Sequence, residues 1–148
     1  VDAGVPVGLG VDGAASNESA RLLEEAHQAV LMARAKGGPT ALTTRTAIEL
    51  ATIGGARVLG RDNEIGSIEV GKLADLVLWD LNTLAHVDID DPVAALVLGA
   101  IPPIRASWVN GRQIVSDSEM LTLDTRAVAI DCAREHSRLL DKARGVKA

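Results

Sequence analysis

The chain has 148 residues, 47% of them hydrophobic, and a formal net charge of -5. That length suits one domain or part of a larger one, and the apolar content allows a real core. With no Phe and no Tyr, the core must be built from Leu, Val, Ile and Ala. No basic stretch marks a nucleic-acid surface, no apolar run is long enough to span a bilayer, and no signal peptide is visible. The single Cys132 excludes an internal disulfide and fits a reducing cytoplasm. Residue 1 is Val rather than Met, which fits a chain that begins inside a longer reading frame.

Residues 5–12 alternate with period two and predict a strand. Val5, Val7, Leu9 and Val11 fall on one face, which should pack on something apolar. Pro6, Gly8, Gly10 and Asp12 fall on the other, a nearly bare face with space above it, into which Asp12 looks from the strand end. Ser16 or Asn17 then offers an N-cap, with Glu18 in the first turn. The following helix carries an apolar stripe at Leu22, Leu23, Ala26, Val30 and Ala33, and Gly37, Gly38 and Pro39 stop it. A second helix starts from Thr43 or Thr44, with Gly54 and Gly55 in or beside it. A glycine pair there predicts close packing or a break.

From Glu64 the pattern is one of short strands, with a turn at Gly71 and Lys72. The segment DPVAALVLGA predicts a short helix from Asp91 or Pro92. RASWVNGRQIVSD predicts a hairpin with Asn110-Gly111 at its tip. An amphipathic helix capped near Asp124 closes the chain. There are no internal repeats or low-complexity tracts. A lone parallel-type strand followed by helices cannot make a sheet by itself, so the first part of the chain reads as the end of something.

Several polar residues admit two readings. Asp12 is either a polar strand end before Gly13 or a functional acid. Ser16 and Asn17 are either cap residues or part of a loop lining a substrate pocket. His27 reads as solvated on the polar side of the first helix, and His86 as solvated in a loop near Asp88, Asp90 and Asp91. Cys132 and His136 share one helix face, but two ligands do not make a zinc site. Gly8 and Gly10 lack the further residues of a phosphate loop.

In this order, VGLGVDGAASNES, TAIELATIGGARVLG, IGSIEVGKLADLVLWDL and ASWVNGRQIV resemble the C-terminal portion of the amidohydrolase superfamily. The nearest branch is the metal-dependent aminohydrolases, such as 8-oxoguanine, S-adenosylhomocysteine and hydroxyatrazine aminohydrolases. The resemblance implies an α/β fold: a C-terminal fragment of a (β/α)8 barrel, with its last strand and helices, plus part of a small β-sandwich. It divides the chain into the barrel end (1–63), the sandwich part with a short helix (64–116) and a C-terminal segment with a helix (117–148). Asp12 would be both ligand to a divalent metal, zinc or iron, and proton shuttle for the attacking water, at the strand end where barrel active sites lie. The family's other ligands, a His-x-His pair and two later histidines, and its catalytic Glu of the fifth strand are absent from this sequence. The resemblance therefore implies that the chain alone is inactive. It implies a complete cytoplasmic enzyme that is homo-oligomeric and deaminates a small purine-like or related heterocycle, with no nucleic-acid or membrane partner. The alternative is a non-catalytic α/β interaction module. In-frame DNA upstream of Val1 encoding the His-x-His strand would separate the two.

Overall fold

The computed structural model describes residues 3–13 and 16–145; the Ala14–Ala15 pair of the Asp12 loop lies outside them. The elements in chain order are α1 (Leu22–Gly37), α2 (Thr44–Glu49), a π-helical turn (Leu50–Gly54), α3 (Gly55–Val58), β1 (Leu76–Trp79), α4 (Pro92–Leu98), β2 (Ile104–Val109), β3 (Arg112–Ser116), β4 (Glu119–Met120) and α5 (Thr125–Ala143).

Residues 5–12 are extended but form no strand. Strand pairing needs a neighbouring backbone, and the four strands among the described residues pair only with one another. Among the described residues, the segment's one backbone hydrogen bond to the rest of the molecule runs from Leu9 N to the Leu50 carbonyl at 3.0 Å. The two faces also differ from the pattern expected of them. Val5 and Val7 are exposed, whereas Leu9 packs against the core. The supposedly open face is in part the packed one: a Cβ on Gly8 would lie 2.7 Å from Gly55 Cα.

Helix α1 begins at Leu22, with Arg21 at the N-cap and no side-chain cap, so neither Ser16 nor Asn17 caps it. Ala20 sits in the left-handed region at φ 48, through which a right-handed helix cannot run. Asn17 instead closes a local turn, its Oδ1 accepting from Ser19 N at 3.2 Å and Ser19 Oγ at 3.1 Å. Of the predicted stripe, Ala26 and Val30 are fully buried, while Leu22 remains exposed.

The second helix starts where the sequence indicated. Thr43 caps it, its hydroxyl accepting from Thr46 N at 3.1 Å. It then runs without a break through the π turn into α3. The glycine pair is there for close approach: a Cβ on Gly54 would lie 2.6 Å from the Val7 carbonyl oxygen. Helix α4 has the expected cap, Asp91 Oδ1 accepting from Val93 N at 2.9 Å with Pro92 next in the chain. It packs on α1 and α2. The resulting core is small, made of Ala26, Val30, Ala47 and Val97, with Leu9, Leu42, Ile48 and Leu98 against it.

The sheet is antiparallel in the order β1-β2-β3-β4. Asn110 and Gly111 at the β2–β3 tip have φ of 48 and 75, as a type I′ turn requires. Asp75 Oδ1 accepts from Asn110 N at 2.7 Å, fastening that tip to the chain entering β1. Only one of the short strands expected after Glu64 forms; residues 65–75 are turns and irregular chain. There Lys72 Nζ donates to the Asp62 carbonyl at 2.6 Å and pairs with Glu69 at 3.1 Å, so the loop is organised by polar contacts rather than by a ladder. Helix α5 is capped by Asp124, which accepts from Arg126 N and Ala127 N. None of its residues is buried. Among the described residues no helix is long and apolar enough to cross a membrane.

Candidate active-site residues

Asp12 ends the extended segment as an exposed residue with φ 61. The left-handed region costs a non-glycine residue roughly 1–2 kcal/mol, least for Asp and Asn, whose short side chains bond locally. Here Asp12 Oδ1 accepts from Gly13 N at 2.8 Å. The second carboxylate oxygen makes no hydrogen bond among the described residues. The backbone reverses directly afterwards, with Ser16 N and Asn17 N both donating to the Gly13 carbonyl, at 2.8 and 3.0 Å. Asp12, Ser16 and Asn17 therefore belong to one compact loop.

The two polar residues beyond Asp12 stand differently. Ser16 is exposed, and its hydroxyl makes no hydrogen bond among the described residues. Asn17 is half-buried and fully engaged: besides the Ser19 contacts, its Nδ2 donates to Glu25 Oε1 at 2.6 Å. That latch fixes the loop to α1. An Asn eight residues ahead of a helical Glu carries no recognisable spacing, so only the folded chain shows it. On the same turn, the Ser19 hydroxyl above all, with Arg21 beside it, holds the Glu24 carboxyl below its ordinary value.

The histidines are not the solvated groups their sequence contexts indicated. His27 is half-buried, and its Nδ1–H donates to the Val97 carbonyl at 2.8 Å, tying α1 to α4. His86 is only 4% exposed. Its Nε2–H donates to the Ala100 carbonyl at 2.8 Å, and its Nδ1 bonds the Thr83 hydroxyl at 2.6 Å. A carbonyl can only accept, which assigns the ring proton in both cases. Both rings serve structure, and the acids near His86 in sequence do not gather around it. Cys132 and His136 stay exposed on α5.

No group of three or more His, Cys, Asp or Glu side chains that could hold a metal occurs among the described residues. A hard carboxylate oxygen such as that of Asp12 fits a divalent ion as one ligand, but one ligand is not a site. A cleft of about 300 Å³ lies at the other end of the segment, between Gly4–Val7 and the helix face of Glu49, Ile53 and Arg57. Asp12 does not line it, and it offers no convergent catalytic groups.

The Amidohydrolase family profile matches residues 1–115. The chain is 40% identical over 141 residues to a 5-methylthioadenosine/S-adenosylhomocysteine deaminase of Desulforudis audaxviator (strain MP104C), a match covering 94% of this chain and 33% of the relative. It is 40% identical over 126 residues to 8-oxoguanine deaminase of Pseudomonas aeruginosa, covering 85% of this chain and 28% of that protein. Among solved structures, an adenosine deaminase from Xanthomonas campestris with bound zinc superposes with a TM-score of 0.86 at 33% identity, over 93% of this chain and 32% of that one. A zinc complex of atrazine chlorohydrolase from Arthrobacter aurescens superposes with a TM-score of 0.81 at 29% identity, over 90% and 30%. The chain thus spans about a third of the length of these relatives.

Proposed function

Because the chain belongs to the amidohydrolase family, we propose that it forms the C-terminal third of a metal-dependent aminohydrolase that removes an amino group from a purine-like or related ring. Residues 1–63 supply the last strand and helices of a (β/α)8 barrel, 64–116 part of a β-sandwich with a short helix, and 117–148 a C-terminal segment and helix. The names of the relatives support a small heterocyclic substrate, and the zinc in solved relatives supports a divalent ion, zinc or iron. In the same reading the enzyme is homo-oligomeric and works in a reducing cytoplasm, where the exposed Cys132 thiol stays free.

The observation that carries the reading is Asp12. Within the family-matched span it sits at the end of an extended segment, in a left-handed conformation, with one carboxylate oxygen unengaged. Together with residues outside this chain, Asp12 would hold the ion. A divalent ion, when bound, lowers the pKa of a coordinated water toward neutrality. Asp12 then accepts a proton from the attacking water and returns it to the leaving nitrogen, so that a C–O bond forms, the C–N bond breaks and ammonia departs. Ser16, next along the same loop, offers its free hydroxyl to the substrate, while Asn17 holds that loop against α1.

In the complete enzyme, Asp12→Asn keeps the side-chain shape and tolerates φ 61, but cannot take the proton. We expect kcat to fall by about 10²-fold or more, with less bound metal and a melting temperature that matches the parent's once both are stripped of metal. Ser16→Ala should raise KM about fivefold, the loss of roughly one hydrogen bond, with stability unchanged because Ser16 caps no helix. Near-normal kcat in Asp12→Asn would overturn the assignment.

A further inference from the structure

We infer that Gly8, Gly54 and the Leu50 carbonyl are positioning residues that set where Asp12 stands; the inference rests on the role proposed for Asp12 above. In the complete barrel, flanking strands would hold 5–12 along its edges, and the continuous helix from α2 to α3 grips its face through backbone contacts at Val7, Gly8 and Leu9. The Leu50 carbonyl opens a π turn, a wider turn that disturbs the regular helical hydrogen-bond register. It accepts from Leu9 N at 3.0 Å. On either side of that bond, backbone meets backbone. A Cβ on Gly54 would lie 2.6 Å from the Val7 oxygen, and one on Gly8 would lie 2.7 Å from Gly55 Cα and 2.9 Å from Gly55 N.

None of these contacts ends in a flexible side chain, so an added methyl cannot be absorbed by a rotamer change. The segment would have to retreat by roughly half an ångström or more to regain ordinary contact. Asp12 follows shortly after Leu9 with no further anchor to the helices before Gly13, so it would move with the segment. A displacement of this size is enough to spoil a proton transfer, since about 1 Å of misplacement can cost on the order of 10²-fold in rate.

The same helix provides a matched control. A Cβ on Gly55 would find nothing nearer than the Leu50 oxygen at 3.9 Å. The test is kcat, KM and bound zinc of the complete enzyme for Gly8→Ala and Gly54→Ala beside Gly55→Ala. The expected result is a roughly 10- to 100-fold loss of kcat in the first two variants, with KM nearly unchanged. Gly55→Ala should stay within about twofold of the parent. Equal behaviour of the tight variants and Gly55→Ala overturns the inference. If the tight variants do not fold, hydrogen exchange in the unmodified 148-residue chain decides: the Leu9 amide should exchange at least about tenfold more slowly than that of Gly10, and an unprotected Leu9 overturns the inference as well. Asp12→Asn with full activity would sink the role of Asp12 itself. Asp12→Asn inactive beside a normal Gly54→Ala would sink only the positioning.

Discussion

Residues 5–12 and residues 104–116 are written in similar alternating, branched sequence, yet only the second stretch forms strands. The hairpin carries its partner with it. Its type I′ turn brings β3 back onto β2, and β1 covers the other edge. Residues 5–12 have no strand beside them among the described residues, and a helix backbone replaces the ladder at a single hydrogen bond. A strand is therefore a relation between segments; alternation states only readiness for it. Helix α5 makes the same point for helices: it has a good cap and an apolar stripe, but nothing buries it.

The largest test of this contrast uses the 148-residue chain expressed alone. The open edges of 5–12 and the exposed Val128, Ile130, Leu139 and Leu140 of α5 should drive self-association at about 10 µM. The same chain, with one candidate ligand, should deaminate 8-oxoguanine no faster than its Asp12→Ala variant with zinc or iron added. A single monomeric mass in light scattering would break the comparison; turnover above that control would break the reading of the site.

A smaller effect compares the two stretches glycine by glycine. Gly111 has φ 75 at the hairpin tip, so Gly111→Ala should destabilise by about 1 kcal/mol. Gly10 has no positive φ and open space around it, so Gly10→Ala should change the melting temperature little. Chemical denaturation of the 148-residue chain at high dilution measures both, and reversal of the order would show that the extended segment is the more tightly specified of the two.

The smallest effect lies in the loop joining the helices to the sheet. The Ser67 hydroxyl first, then Lys72, holds the exposed Glu69 carboxyl below its ordinary value. A depressed acid contributes stability above the ordinary carboxylate pKa of about 4.3. That contribution is lost as pH falls through the lower folded value. Ser67→Ala should move the Glu69 titration upward in an NMR pH series; an unmoved titration would remove the hydroxyl as the cause.

Much of the fold was legible because its signals are local. Thr43, Asp91 and Asp124 cap the helices their positions indicated, and Asn110-Gly111 turns the hairpin, since each effect acts within a few residues. Asp12 was legible as an acid at the end of an apolar run. The cap assigned to Ser16 and Asn17 failed because Ala20 turns left-handed and Asn17 reaches to Glu25 instead. His27 and His86 read as solvated because their carbonyl partners, Val97 and Ala100, lie distant in sequence.

By itself the sequence determined the helices, the hairpin, the family resemblance and the acid that ends residues 5–12, all products of nearest-neighbour chemistry and short-range period. Only the tertiary structure decided that Gly8 and Gly54 are points of backbone contact, that the glycine pair continues a helix through a π turn, and that both half-buried and buried histidines are structural. Those outcomes depend on which distant backbone arrives within about 3 Å of a given atom, and no local pattern encodes that approach.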